Sequence, residues 1–336
     1  MAQPSRNGEA AGILLRKARW RVPELVFWAV ALGAALVFPR QLLLMNEIAI
    51  LALFALSLDL ILGYAGIVSL GHAAFLGVGA YTAGILATQG VGDPLLGLAA
   101  AGLLAGGLGF ATSFLLLRGS DLTRLMVTLG IAMMVGELAN RMAWLTGGAD
   151  GLQGMVVGPV LGLFPFDLYG RTAYLYSLAV LFLLFVVARR VVHSPFGLSL
   201  RAVKDNPLRA RAVGISVRVR LVAIYTMAAA YAGVAGALLA QTTQFVSLDV
   251  LEFHRSADVM LVLVIGGVGY LYGGLIGALV FKVMQDALMS ITPQYWLFWI
   301  GLLLVVLVLA GRERVAGLVS GAIGRVLSAV PPGRRA

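Results

Sequence analysis

The sequence predicts an all-α integral membrane protein with about ten transmembrane helices, some of them broken. Three observations carry this. First, 60% of the 336 residues are hydrophobic and only 12% are charged, with a mean hydropathy of +0.96. A soluble domain is about a quarter charged, and so much apolar surface needs a bilayer as solvent. Second, uncharged windows of about twenty residues follow one another along the chain, each long enough for one crossing. Third, 18 of the 25 Lys and Arg residues fall in three short stretches, 6–21, 189–220 and 312–335. That confinement is what the positive-inside rule produces, and it places all three stretches in the cytoplasm. A β-barrel would need alternating strands of about ten residues, a pattern this sequence lacks.

In chain order, residues 1–22 form a basic cytoplasmic segment. Residues 23–311 form the membrane domain, and 312–336 a basic cytoplasmic tail. Residues 25–38 are the first span, drawing on residues 22–24 for length. Pro39-Arg40 follows it in place of a small-residue cleavage site, so this helix reads as retained rather than as a signal peptide. The second span is 42–62. Residues 60–92 carry no charge, which is too long for one crossing, and Gly63, Gly66, Gly71, Gly77, Gly79 and Gly84 punctuate them. A break at 63–71 and then a helix to about Ala87 is the expected result.

Asp93-Pro94 signals the next helix start, and that helix ends before Arg118. A fifth helix covers 125–145, an outside loop 146–171, a sixth helix 172–188 and a seventh 221–243. Residues 257–289 are read as two helices with a turn at 266–274. A last span covers 295–310. Both termini then lie inside, on the same side as the basic loop 189–220. Gly102/Gly106 and Gly273/Gly277 are small-xxx-small pairs that permit close helix contact.

Three features bear on chemistry. The run Gly63-Tyr64-Ala65-Gly66-Ile67-Val68-Ser69-Leu70-Gly71-His72 reads either as a tight packing turn or as unwound backbone. Unwound backbone at membrane depth is tolerated only where it is buried in protein or lines a cavity. His72 is accordingly a packed polar residue, a substrate ligand or a proton relay. The loop 189–220 holds a short capped helix: Asn206 is the N-cap, Pro207 the first helical residue and Gly214 the stop. It reads as a solvated basic loop touching anionic lipid, or as a docking element. Glu137 and Arg141 are spaced i,i+4 and form an ion pair, structural near the outer face or lining a pathway.

Other chemistry is excluded. The net charge of +10 has no basic soluble domain to carry nucleic acid. There is no cysteine. The three lysines, Lys17, Lys204 and Lys282, follow Arg16, Val203 and Phe281, so no P-loop exists. The three histidines are far apart in sequence, and no metal or nucleophile constellation is visible. These absences argue against a membrane enzyme.

The glycine run resembles the signature of the M-type permease subunit of branched-chain (LIV-type) amino-acid ABC transporters. The likeness extends over residues 25–320. It includes Leu117-Arg118-Gly119, Val127-Thr128-Leu129-Gly130, Thr146-Gly147-Gly148-Ala149-Asp150-Gly151-Leu152, Arg201-Ala202-Val203-Lys204-Asp205-Asn206-Pro207 through Gly214, and Gly266-Gly267-Val268-Gly269. Asp59 departs from the Asn common there, and its place toward a helix end reads as an interface anchor; residues 120–124 are more polar than the family pattern.

The resemblance implies an ABC importer permease fold in the bacterial inner membrane. It implies an H-type permease partner, two cytosolic ABC ATPase subunits that bind the ATP, and a periplasmic solute-binding protein. The permease itself then needs no cofactor. It implies a coupling role for Arg201, Asp205, Asn206, Pro207, Ala210 and Gly214; the candidates for the translocation pathway are Gly63, Gly66, Ser69, Gly71, His72, Glu137, Gly266 and Gly267. The implied cargo is a branched-chain amino acid, with urea, short amides and aromatic acids as the range among relatives. The rival functions are an ion-coupled secondary transporter and a channel-like urea or amide facilitator.

Overall fold

The computed structural model describes residues 22–116, 119, 121–167, 169–291, 293–295, 298–302 and 305. The N-terminal and C-terminal basic clusters, Leu117, Arg118 and Ser120, and most of the expected last span lie outside them. The described chain is helical, with only two isolated bridges, Leu152 to Val246 and Val160 to Phe164, outside helices and turns.

The helices are α1 (Val22–Val37), α2 (Leu42–Ala65), α3 (Ala73–Thr88), α4 (Pro94–Leu116), α5 (Asp121–Arg141), α6 (Ala143–Thr146), α7 (Arg171–Val192), α8 (Pro195–Asp205), α9 (Pro207–Ala212), α10 (Val217–Thr243), α11 (Phe253–Gly266) and α12 (Leu271–Ile291). Residues up to Val280 form one compact unit, and those from Phe281 onward a second.

Among the described residues, six helices are long and apolar enough to cross a membrane: α2, α4, α5, α7, α10 and α12. The expected count of about ten is not met among them, and most of the expected last span lies outside them. The difference has a physical cause. α1 and α3 have 16 residues each and α11 has 14. At 1.5 Å per residue they reach about 24 and 21 Å, short of the roughly 30 Å hydrocarbon layer. The expected pair of helices within 257–289 is present, joined by a turn at 267–270.

Helix ends follow the sequence signals. Asp93 Oδ1 accepts from Leu95 N at 2.8 Å and opens α4. Asp167 accepts from the N–H groups of Arg171 and Thr172 at 3.2 and 2.8 Å and opens α7. Gly66, at φ 71°, closes α2, with Ile67 N bonded back to Ile61 O at 2.9 Å.

α2 and α10 are central. Of the most apolar 18-residue windows, 83% of that in α2 and 67% of that in α10 are buried, against 17% in α5. Small residues make this packing possible, because backbones can approach only where no side chain intervenes. A Cβ on Gly236 of α10 would stand 1.8 Å from Leu76 O of α3, and one on Gly79 of α3 would stand 2.0 Å from Gly233 O. Gly102 and Gly106 set α4 against Val234 and Ala230 of α10, as their spacing predicts.

Polar groups add interhelical bonds. Ser177 Oγ donates to Asn46 Oδ1 at 2.7 Å, and Tyr176 Oη to Gln241 Oε1 at 2.9 Å. Glu24 of α1 pairs with Arg189 of α7, both side chains largely buried.

Two stretches share one plan. α2 is followed by an unwound segment and the short α3; α10 is followed by a break that holds one 3-10 turn, Leu248–Leu251, and then the short α11. Val68-Ser69-Leu70 lies in the first break and Val246-Ser247-Leu248 in the second. α2 ends beside the start of α10, since Ala65 and Gly66 line one cavity with Val217 and Arg218. The two stretches therefore run in opposite directions. Their short helices meet at their first turns, where Ala73 N donates to Ser256 Oγ at 2.9 Å.

Candidate functional site

The break between α2 and α3 is closely packed. From Gly66 to Gly71 the backbone makes no helix, and Leu70 N finds a side-chain acceptor, Thr128 Oγ1 of α5, at 3.2 Å. A Cβ on Gly71 would lie 1.8 Å from Thr128 O, so glycine alone fits there. The first N–H groups of a helix lack intrahelical acceptors. At α3 these are met by Gly71 O, His72 O and Ser256 Oγ.

His72 is fully enclosed. Its Nε2 lies 2.8 Å from Ser57 Oγ, and its ring stacks on Phe54 at 5.5 Å between centroids. Ser57 uses its single hydroxyl proton on Phe54 O at 2.6 Å. The serine oxygen must then accept, which assigns the proton to Nε2 and leaves Nδ1 as an acceptor. His72 Nδ1 and Ser69 Oγ are both buried without a partner among the described residues.

Asp59, expected near a helix end as an interface anchor, is instead wholly buried. Its Oδ1 accepts from Gly269 N at 2.7 Å. This bond ties α2 to the turn between α11 and α12. Gly63 makes the approach possible, since a Cβ there would stand 2.6 Å from Gly269 N. Gly267 and Gly269 adopt φ 105° and 82°, which favour glycine. Gly266 packs directly on Gly273, where a Cβ would meet the carbonyl oxygen at 1.8 Å.

The segment 194–216 docks onto the same end of α2. Ser194 caps α8, accepting from Gly197 N, with Pro195 at the first position. Asn206 Oδ1 accepts from Arg209 N at 3.0 Å and caps α9, with Pro207 at its first position. Gly214, at φ 84°, ends it, with Ile215 N bonded to Ala210 O at 3.0 Å. The capped helix read from the sequence is present. Lys204 Nζ donates to Gly63 O at 2.8 Å, and the Arg201 guanidinium lies 5.3 Å from the centre of the Tyr64 ring. Asp205 is exposed at the end of α8.

Ala210 is 3% exposed and faces inward, so it is a packing residue of this segment. The outward apolar side chains of α9 and its end are Leu208 and Val213, at 75% and 76% exposed. Sequence reasoning missed these two, and it missed Lys204 as the contact to the glycine break. The clue to Leu208 and Val213 was present: apolar residues spaced i,i+5 in a loop that is otherwise basic.

The structure brings Gly63, Gly66, Gly269 and Lys204 to one end of α2, while Gly266 and Gly267 pack on Gly273. It places Ser69, Gly71 and His72 further along, at the start of α3. Glu137 stands apart. Its Oε1 accepts from Arg141 Nε at 2.6 Å, the i,i+4 pair expected, on a face where both side chains are more than half exposed. Elsewhere, His254 lies 3.2 Å from Asp249 and 3.1 Å from Glu252, and Arg255 also pairs with Asp249. The sequence reading did not find this exposed cluster, whose acids already pair with His254 and Arg255.

Six apolar helices, an unwound segment buried in protein and a capped amphipathic segment at its base define a multi-pass helical membrane permease. Residues 42–308 match the family described as branched-chain amino acid transport system / permease component, and the chain belongs to it. It is 30% identical over 282 residues to the high-affinity branched-chain amino acid transport system permease protein LivM of Escherichia coli K12, covering 76% of this chain and 65% of the relative. It is 31% identical over 287 residues to the protein of the same name from Salmonella typhimurium LT2, at the same coverages. A shorter likeness, 29% over 147 residues and 41% of each chain, is to the fructose import permease protein FrcC of Rhizobium meliloti. The chain thus spans less than two thirds of the length of the LivM relatives. No solved structure matches it.

Proposed function

We propose that this chain is a membrane-spanning subunit of an ATP-driven importer in the bacterial inner membrane. Its cargo is a branched-chain amino acid delivered by a periplasmic binding protein. ATP is hydrolysed by two separate cytosolic subunits, and a second, related permease completes the pathway. The termini lie in the cytoplasm, on the side of the basic segment 189–220.

One observation carries this reading most. The capped segment is mechanically joined to the glycine break, through Lys204 to Gly63 O and Arg201 to the Tyr64 ring. The chain continues through Asp59 to Gly269. A push on α9 reaches the end of α2 and the α11–α12 turn without passing through flexible linkers. Leu208 and Val213 give α9 and its end two outward apolar side chains for the ATPase to grip. Helices that start within the membrane at a break are where transporters place substrate, which puts the pathway near Ser69 and His72.

The test is uptake in proteoliposomes containing the full set of subunits, with and without internal ATP, against leucine, isoleucine, valine, urea, benzoate and fructose. The expected result is uptake of a branched-chain amino acid that requires both ATP and the binding protein. Uptake by this chain alone, driven by an ion gradient or by diffusion, contradicts the proposal.

A further inference from the structure

A concave basic cavity of about 360 Å³ lies at the base of the glycine break, between α2, α5, the coupling segment and α10. Four cations line it, Arg124, Lys204, Arg211 and Arg218, against one carboxylate, Asp121. Asp121 is already taken: its Oδ1 accepts from Arg124 Nη1 at 2.9 Å. A second nitrogen of that guanidinium, Arg124 Nε, is buried and makes no hydrogen bond among the described residues. Arg218, one of the lining residues, has its guanidinium 5.5 Å from the centre of the Phe114 ring. The first residues of two long helices, α5 at Asp121 and α10 at Val217, also border the cavity, and helix N-termini favour anions. Cations gathered around a concavity repel one another unless an anion joins them, and guanidinium groups match phosphate geometry.

We infer that this cavity binds a phosphate group, the headgroup of an anionic membrane lipid or a free phosphate anion. This rests on the cytoplasmic placement of the 189–220 segment given above. Lys204 lines the cavity and also bonds Gly63 O, so a bound phosphate neutralises the cluster and holds α8 and α9 against the end of α2. Basic pockets between membrane helices on the cytoplasmic side are suited to such headgroups.

The experiment is native mass spectrometry of the intact complex with its ATPase subunits, after exchange with vesicles of phosphatidylglycerol and phosphatidylcholine in equal parts, with and without added inorganic phosphate. Three chains are compared: wild type, the double variant Arg211→Gln/Arg218→Gln, and Arg190→Gln, an exposed basic residue of the 189–220 segment outside the cavity. Size-exclusion profiles and thermal unfolding check that each is folded.

The wild type and Arg190→Gln are expected to retain phosphatidylglycerol, and the double variant to retain at least tenfold less. Retention that survives added phosphate assigns the site to the lipid headgroup. Displacement by phosphate assigns it to the free anion. Equal retention in the double variant, or retention of neither anion by wild type, overturns the inference. So does lipid binding that emerges only once the ATPase subunits are stripped away, which would give the cavity to a carboxylate of that partner. Binding is read without transport, so its failure leaves the importer proposal standing, and failed ATP-driven uptake leaves the binding result standing.

Discussion

Gly71 and Gly107 show how little of a glycine's meaning lies in its type. Both sit in apolar sequence. A Cβ on Gly71 would strike the Thr128 carbonyl at 1.8 Å, whereas one on Gly107 would meet nothing within 4 Å. Gly71→Ala is expected to cost about 3 kcal/mol or more, because the obstacle is backbone and cannot turn aside. Gly107→Ala is expected to be neutral or slightly stabilising, since alanine is the better helix former. Thermal unfolding in detergent, with a clear drop for the first and none for the second, checks both.

Ser57→Ala leaves His72 Nε2–H without its acceptor in a dry site, at about 1–3 kcal/mol. An unchanged melting temperature would show that His72 is not held as described. The break at Gly71 was legible in the sequence as a cluster of glycines in an uncharged run. The Ser57 partner was not, because it lies on a different helix and polar pairs across helices leave no periodic trace. Asp59 misled for a related reason. Its position near a helix end suggested water, but the α11–α12 turn covers it.

Elements carried the clearest sequence signals. The caps at Asp93, Asn206 and Gly214 and the small-residue pairs at Gly102/Gly106 are local chemistry, and each is found where the residues place it. The orientation of α9 was not local. Which face turns inward depends on what α8 and α10 present to it, so Ala210 was read as a partner contact and is in fact buried. Two consequences follow for this element. Leu208→Asp/Val213→Asp is expected to leave expression and melting unchanged, since both side chains are exposed, while co-purification of the ATPase subunits is lost. Asn206→Ala removes a side-chain cap worth about 1 kcal/mol, which is expected to fray α9. Hydrogen exchange should then rise at residues 207–212 while α10 stays protected.

At the scale of the whole molecule, composition alone gave the class, because so apolar a chain needs a bilayer. The crossing count was not legible from hydropathy. α3 is apolar but has only 16 residues after an unwound segment, and α11 has only 14, so neither is among the helices long enough to cross. The recurrence of Val-Ser-Leu in both breaks was the available hint, a repeat too brief to stand out. The long-range bonds that join the 194–216 segment to the glycine break are a property of the assembled chain. Lys204 and Gly63 are 141 positions apart.

That contact is the central claim, and Lys204→Met tests it most directly, because it keeps the aliphatic stem on Gly66 and removes only the charged donor. ATP hydrolysis and substrate uptake should be measured together in proteoliposomes of the complete complex. The account predicts hydrolysis within about twofold of wild type and uptake reduced at least tenfold, since a bond from a charged donor is worth about 1.5–3 kcal/mol. Uptake that keeps pace with hydrolysis in this variant would contradict it.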